Sequence, residues 1–253
     1  MLLVLLTSAA CRPDTPATEQ AATPAATVPT AARPATAGPA DTLQLPGGQL
    51  VQLRPSTAAA FSQLPAGSLP DLPNDPAVEH LAATQGQVRR QGLDLLLLPA
   101  RGNEVKLSST PDAQFTLQNG EGVKYMYWGS LPAAHQWVVR AWYWESVGTV
   151  LVDQRTGRRL ELMGDPVASA DGCFVLLTSP GLGGGDQVNS LALVRIEADG
   201  ARLLWQREPT TWEPQEVRWA GPRLAMLKMR HPDAQGELPD DAPATYAELP
   251  LPR

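Results

Sequence analysis

The segment that decides the fold spans residues 137–179 and reads WVVRAWYWESVGTVLVDQRTGRRLELMGDPVASADGCFVLLTS. It holds four short apolar runs rich in β-branched and aromatic residues, the side chains that favour β-strands. These runs are Trp137 to Trp144, Thr149 to Val152, Arg158 to Met163 and Cys173 to Thr178. We expect each run to form a strand.

Two turn signals separate the later runs. The segment 153–157, DQRTG, combines an Asp that can bond its own backbone with a Gly that can adopt positive φ, so it predicts a hairpin. The segment 165–172, DPVASADG, ends in Asp-Gly, a reversal signal before an apolar run. The whole stretch therefore predicts antiparallel strands joined by tight turns.

The succession strand, D-x-x-T-G, strand, P-x-x-S-x-D-G, strand resembles one blade of the TolB-like and WD40-like β-propeller repeats. This resemblance implies an all-β fold of antiparallel, four-stranded, blade-like sheets, and a scaffold more than an activity. The chain offers about 13 strand candidates, a little over three blades, whereas closed propellers have about 4–8. We therefore expect a small or incomplete propeller-like domain, with a β-sandwich as the alternative.

Similar patterns flank the central stretch. Alternation within Ser190 to Glu197 places Ala192, Val194 and Ile196 on one face and two leucines on the other, which predicts a strand covered on both sides. The further strands expected are Gln49 to Leu53, Leu93 to Leu98, Glu104 to Leu107, Gln114 to Leu117, Val123 to Trp128, Ala201 to Arg207, Gln215 to Trp219, Arg223 to Met229 and Thr245 to Leu249. A capping Asp75 followed by Pro76 predicts one short helix over 76–85, ended by Gly86.

The N-terminal residues 1–11, MLLVLLTSAAC, resemble the end of a bacterial lipoprotein signal, in which Cys11 would be lipidated and become the mature N-terminus. They depart from that signal in having no basic residue before the apolar run and Ser8 three positions before the cysteine. Residues 12–45 are almost wholly Pro, Ala and Thr, a composition that predicts a disordered tether. A Pro-rich lead-in over 46–92 and an all-β domain over 93–253 complete the expected organisation.

The resemblance to lipoprotein signals implies a location. The first apolar run is too short to span a bilayer, so a lipid on Cys11 would anchor the protein to a membrane of the bacterial cell envelope, on the periplasmic side or at the cell surface. Taken whole, the chain also resembles Bacteroidota-type lipoproteins of unassigned activity. Nucleic acid is excluded as a partner, because the net charge is −6 and Lys and Arg are scattered.

The two cysteines, Cys11 and Cys173, are not expected to form a bridge with each other. Cys11 lies at the processing site and Cys173 in an apolar run, where a thiol behaves as a small, inert hydrophobic side chain. No catalytic motif, metal ligand set or cofactor site is predicted. The three histidines, His80, His135 and His231, have no metal-binding spacing.

Aromatic side chains are concentrated between residues 125 and 144. Alternation places Trp142 and Trp144 on one face of their strand and Trp137 and Tyr143 on the other. Core packing is the favoured interpretation. The functional alternative is a platform on which Trp128, Trp142 and Trp144 stack a sugar or a peptide.

Three functions remain open from the sequence. The first is a non-enzymatic, lipid-anchored envelope protein that acts in binding or assembly with a protein or glycan partner. The second is a glycan-acting hydrolase or lyase whose carboxylates are brought together by the fold. The third is a structural accessory that completes a partner's sheet through an unpaired edge strand near Gln49 to Leu53 or Thr245 to Leu249.

Overall fold

A computed structural model describes residues 42–45, 48–71, 79–116, 120 and 122–251. Cys11, the tether up to residue 41 and residues 76–78 of the expected helix lie outside the described residues. Within them the chain forms 17 β-strands, one short α-helix and three turns of 3-10 helix. The all-β prediction is confirmed.

The strands form four successive antiparallel sheets and a separate hairpin. The hairpin consists of β1 (Thr42–Gln44) and β2 (Leu50–Gln52). Sheet 1 consists of β4 (Val88–Gln91), β5 (Asp94–Leu97) and β6 (Val105–Ser108). Sheet 2 consists of β7 (Lys124–Leu131), β8 (Gln136–Trp142), β9 (Val147–Asp153) and β10 (Arg159–Met163). Sheet 3 consists of β11 (Asp165–Ala168), β12 (Phe174–Ser179), β13 (Ser190–Glu197) and β14 (Gly200–Arg207).

Sheet 4 combines both ends of the described chain. Its consecutive strands β15 (Glu213–Gly221), β16 (Leu224–Arg230) and β17 (Thr245–Pro250) are joined by β3 (Arg54–Pro55), which pairs with Ala247 and Glu248 of β17. The expectation of an unpaired edge at Thr245 to Leu249 is therefore wrong, because β17 lies between β16 and β3. The strand expected at Gln49 to Leu53 is confirmed as β2, which pairs with β1 on one side.

The two middle sheets are apolar on both faces. On β8, Trp137 and Val139 pack with the leucines of sheet 1, while Val138 packs against sheet 3. On β13, Ala192, Val194 and Ile196 face sheet 2, while Leu191 and Leu193 face sheet 4. This confirms the prediction for β13, and each middle sheet is buried between two neighbours.

The outer faces of the row are covered differently. On sheet 4, the helix α1 (Ala58–Ser62) lies against β16 and β17, with the Phe61 ring 5.3 Å from that of Tyr246. The outer face of sheet 1 carries surface ion pairs instead, Arg89 with Glu104 and Lys106 with Asp94. Among the described residues the row is therefore open, because the outer faces of sheets 1 and 4 do not pack on each other.

Sheets 2, 3 and 4 share one orientation. At one end of the row, which we call the tryptophan end, Gln187 of the β12–β13 loop bonds to the backbone of Val147 beside the β8–β9 turn. At the opposite end, the turn end, Gly172 of the β11–β12 turn lies against Ala133 of the β7–β8 turn. The first strands of these sheets begin at residues 124, 165 and 213, a spacing near the ~40–45 residues of a propeller blade.

Sheet 1 has three strands in place of four. Its β5–β6 loop donates the backbone N–H groups of Ala100 and Arg101 to the carbonyls of Gln154 and Arg155, which lie at the turn end. This is also the end at which the β9–β10 turn joins the last two strands of sheet 2. Sheets 2, 3 and 4 are thus the four-stranded sheets of the row, and sheet 1 is a shorter cover on sheet 2.

The segment 64–71, which we call the strap, crosses the first strands of the three repeated sheets. Arg218 of β15 donates to the carbonyl of Leu64, Gly67 lies beside Val167 of β11, and the Trp128 Nε1 of β7 donates to the carbonyl of Pro70 at 2.9 Å. These are edge strands, so the strap covers positions at which another chain could pair.

Several local expectations are wrong. The expected helix over 76–85 contains a 3-10 turn at Leu81–Thr84 within its described part, and it ends as predicted at Gly86 through the left-handed Gln85. Of the strand expected at Gln114 to Leu117, Gln114 ends a 3-10 turn (Asp112–Gln114), Phe115 and Thr116 lie in no strand, and Leu117 lies outside the described residues. Strand β4 lies in the lead-in segment, where we expected loop. Strand β11 lies where we expected a turn, because Pro166 and the neighbouring Gly and Asp residues suggested a reversal throughout 165–172.

Cys173 also differs from expectation. It lies half-buried in the turn before β12, packs against the core between sheets 3 and 4, and is disulfide-bonded. The expectation of an unbridged, inert thiol inside a strand is therefore wrong.

The D-x-x-T-G hairpin is held by a buried carboxylate. The fully buried Asp153 accepts hydrogen bonds from the N–H groups of Arg155 and Thr156, both at 2.9 Å, and from the Arg155 guanidinium at 2.7 Å. Burial of the carboxyl opposes its ionisation, but the bonds from Arg155 and Thr156 outweigh that cost and lower the pKa of Asp153 below its ordinary value.

We predict that the Asp153→Asn variant loses part of the acid sensitivity of the fold. Because the folded-state pKa is lowered, ionised Asp153 stabilises the protein above its unfolded-state pKa, and this stability is lost as pH falls through the folded-state pKa. At pH 7 the variant should be less stable by about 1–3 kcal/mol, and the gap from wild type should shrink toward pH 3. Urea unfolding of the variant and of wild type between pH 7 and pH 3 measures this gap, and a substitution of the exposed Asp71, Asp71→Asn, is the control. A constant gap would contradict the prediction.

We also predict that Gly172→Ala is strongly destabilising. Gly172 has φ 69°, and a Cβ there would collide with the Ala133 carbonyl of sheet 2. The cost should be about 2 kcal/mol or more. Gly183→Ala is the matched control, because a Cβ at Gly183 meets nothing within 4 Å. Thermal unfolding of the two variants should separate them, and equal melting temperatures would contradict the packing of these two turns.

Candidate functional site

The candidate site lies between sheets 2 and 3, at the tryptophan end. We call its four residues, Trp128, Arg140, Trp142 and Asp165, the tryptophan–arginine cluster. The guanidinium carbon of Arg140 lies 4.8 Å from the ring centre of Trp128 and 6.0 Å from that of Trp142, within the range of cation–π attraction. Its Nη1 donates to Asp165 Oδ1 at 2.5 Å.

Strand geometry explains how the first three residues meet. Arg140 and Trp142 are two apart on β8, so both side chains lie on the face directed at sheet 3. On β7 the pairing shifts between Tyr127 and Gly129, which leaves Trp128 as the extra residue of a β-bulge. Bulges redirect side chains, and here Trp128 joins the same interface.

A one-residue connection brings in Asp165. Gly164 alone separates β10 from β11, at φ 99°, and its carbonyl accepts a 2.7 Å hydrogen bond from Thr149, the register partner of Arg140 on β9. Any larger residue at Gly164 would meet the Thr178 carbonyl. The chain therefore crosses from sheet 2 to sheet 3 beside the guanidinium, and the first residue of β11 is its counter-ion.

Hydrogen bonding within the cluster is incomplete. In the described part of the chain, Nε of Arg140 and Nε1 of Trp142 are buried and have no acceptor. An unpaired buried donor costs about 1–3 kcal/mol. The arrangement therefore offers two donors and a positive charge between aromatic rings, which is chemistry suited to a carboxylate or another planar anion.

The third tryptophan of the expected platform lies apart. Trp144 follows the end of β8, so strand alternation no longer sets its direction, and its ring packs 5.7 Å from that of Phe115. We call Trp144 and Phe115 the exposed aromatic pair, because 44% of Trp144 is accessible. Lys124 Nζ lies 5.0 Å from the Phe115 ring and also pairs with Asp112. The structure brings Trp128 and Trp142 together around Arg140 and seats Trp144 on a different neighbour.

A tyrosine and a glutamate lie on the other face of sheet 2. The Tyr143 hydroxyl donates to the carboxylate of Glu161. Burial first, and then the neighbouring Glu161, raise the pKa of Tyr143 above its ordinary value, and the same two causes raise that of Tyr125. Tyr143 therefore stays protonated at neutral pH and acts as a hydrogen-bond donor.

Sequence reasoning missed Arg140, Asp165 and Phe115. Arg140 gave a signal, since it is the one charged residue in the run 137–142. Asp165 gave none, because it meets Arg140 through a chain crossing that depends on Gly164. Cys11, the expected lipidation site, lies outside the described residues.

The described residues show neither a metal-binding cluster nor a membrane-spanning helix. No three His, Cys, Asp or Glu side chains converge there as metal ligands. His231 bonds to the Thr211 carbonyl and the Thr245 hydroxyl. Within the described portion, no helix has the length and apolar character needed to cross a bilayer. No protein-family model, curated protein or solved structure matches the chain.

We predict unequal contributions to stability from two of the tryptophans. Trp128→Ala should lower the free energy of unfolding by about 3–5 kcal/mol, because it removes a buried ring and the bond to the strap. Trp144→Ala should cost less than about 1 kcal/mol, because its ring is at the surface. Chemical denaturation of both variants checks this. Comparable losses would show that Trp144 belongs to the core.

Proposed function

We propose that this protein is a non-enzymatic, lipid-anchored envelope protein whose β domain binds a glycan or peptide at the tryptophan end. The observation that carries the proposal is the exposed aromatic pair. An accessible tryptophan packed at a tilt against a phenylalanine, with a lysine beside it, offers an apolar surface and a cationic group to a ligand.

The scaffold behind this pair supports a binding role. Trp144 follows β8, whose residues from Gln136 to Ala141 are buried. The β8–β9 turn is held to sheet 3 through Gln187. A binding side chain on such a support loses little conformational freedom when a ligand docks, which favours affinity.

The carboxylates near the aromatic residues fit binding better than glycan hydrolysis. Asp165 pairs with Arg140, Glu161 accepts from Tyr143, and Asp112 pairs with Lys124. Two carboxyl groups facing one another across a cleft are needed for acid–base cleavage of a glycosidic bond. Here each of the three is matched to a separate donor.

The proposed location rests on a lipid at Cys11, and disulfide formation by the same sulfur would exclude that lipid. A cysteine sulfur that carries a lipid thioether cannot also form a disulfide. The chain has two cysteines, and the structure has Cys173 disulfide-bonded. A lipidated chain must therefore have Cys173 as a thiol or bonded to another molecule, so the state of Cys173 reports on the anchor.

We expect Trp144→Ala to reduce binding to glycan or peptide arrays at least about tenfold, because it removes the accessible half of the aromatic pair. Leu98→Ala is the matched control, since Leu98 is an exposed apolar side chain on the β5–β6 loop. The arrays should be probed with the full chain, and hits confirmed by titration. Binding that is equal in wild type and Trp144→Ala would refute the proposed surface.

For the location, we expect the full-length chain expressed in a bacterium to incorporate a labelled fatty acid and to sediment with membranes. The Cys11→Ser variant should do neither. In the lipidated protein, Cys173 should react with a maleimide after denaturation without a reductant. A wild-type protein that stays unlabelled and soluble, and whose Cys173 reacts with the maleimide only after a reductant is added, would contradict the lipid anchor and support a disulfide instead.

A further inference from the structure

We propose that the tryptophan–arginine cluster is a second binding site, specific for the carboxylate of a ligand, and that Asp165 occupies the guanidinium while the site is empty. This goes beyond the proposed function, because it involves a buried site between sheets 2 and 3 and not the exposed aromatic pair.

Arg140 is an unusual core residue. Its side chain is 7% exposed, yet the one ion pair it forms with a described residue is with Asp165, whose side chain is 54% exposed. Removing an arginine from water is costly unless its donors are met. A half-exposed carboxylate bonded through one nitrogen meets that need poorly, because guanidinium groups suit carboxylates best in two-point contacts.

Two donors are left for a ligand. Nε of Arg140 and Nε1 of Trp142 are both buried without an acceptor in the described part of the chain. They belong to side chains on the same face of β8, with the guanidinium carbon 6.0 Å from the Trp142 ring. A carboxylate has two oxygens and can accept from both side chains at once.

The remaining walls favour a carboxylate with an attached apolar group. The Trp128 ring lies beside the guanidinium, and Val138, two residues before Arg140 on β8, belongs to the same apolar interface. Asp165 shows that a carboxylate fits against Arg140. A cation would be repelled by the guanidinium, and an amide would lack the charge that offsets burial.

Asp165 is suited to leave. It stands at the first position of β11, directly after Gly164, and its exposed side chain can turn into water without moving the sheet. An incoming carboxylate would replace it on Arg140 and also satisfy the two orphan donors. The binding free energy is thus a difference between the two carboxylates, and Asp165 lowers the apparent affinity.

The test compares benzoate with benzamide, its neutral isostere, on the full-length protein. We expect benzoate to shift the indole N–H resonance of Trp142, assigned with Trp142→Phe, and benzamide to leave it in place. Asp165→Asn should bind benzoate about tenfold more tightly, because the internal competitor is gone. Asp199→Asn, which breaks an exposed pair with Arg158 at the turn end, should bind like wild type.

Arg140→Lys should abolish the benzoate shift, and circular dichroism will report whether that variant folds. Should it not fold, Asp165→Asn still decides. Equal binding of benzoate and benzamide, no binding of either, or an affinity that Asp165→Asn leaves unchanged or weakens, would show that Arg140 and Asp165 form a structural ion pair. Those outcomes leave the array result for Trp144 untouched, so this proposal and the proposed function fail separately.

Discussion

The structure depends on two sheets that cannot be stable alone. Sheets 2 and 3 are apolar on both faces, so each exposes a hydrophobic surface unless a further sheet packs on it. Burial of these faces is the main source of stability for the fold. The requirement propagates outward, since every added sheet presents a new face, until a sheet with one polar face or a helix ends the series.

The polar cluster exists because of how tightly these two sheets are joined. A single glycine connects β10 to β11, and the glutamine of the β12–β13 loop bonds to the first residue of β9. Between these two contacts, one face of β8 packs closely against sheet 3, and this face carries Arg140. The tryptophan rings shield that charge from solvent, while the backbone crossing supplies the counter-ion.

Much of the fold follows from local pattern, and most of the site does not. The strand Ser190 to Glu197 was predictable because a short run with apolar residues on both faces indicates a strand that is covered on both sides. The helix α1 had a usable signal in Thr57, whose hydroxyl accepts from the Ala60 N–H as an N-cap, but the surrounding prolines favoured loop. Strand β11 looked like a turn because seven residues separate the reversals at Gly164 and Gly172, and the strand takes four of them. The packing of sheet 1 on sheet 2 and the pairing of Arg140 with Asp165 depend on contacts between distant residues, and no local pattern encodes them.

The two outer faces of the row are unlike each other. The outer face of sheet 1 carries ion pairs between basic and acidic side chains, and the outer face of sheet 4 is covered by helix α1. Stacked-sheet proteins with matching bare faces can add copies head to tail without limit and grow into fibres. Here the charged outer face of sheet 1 and the helix-covered outer face of sheet 4 do not match, which disfavours head-to-tail stacking of copies, as capping repeats do in a solenoid.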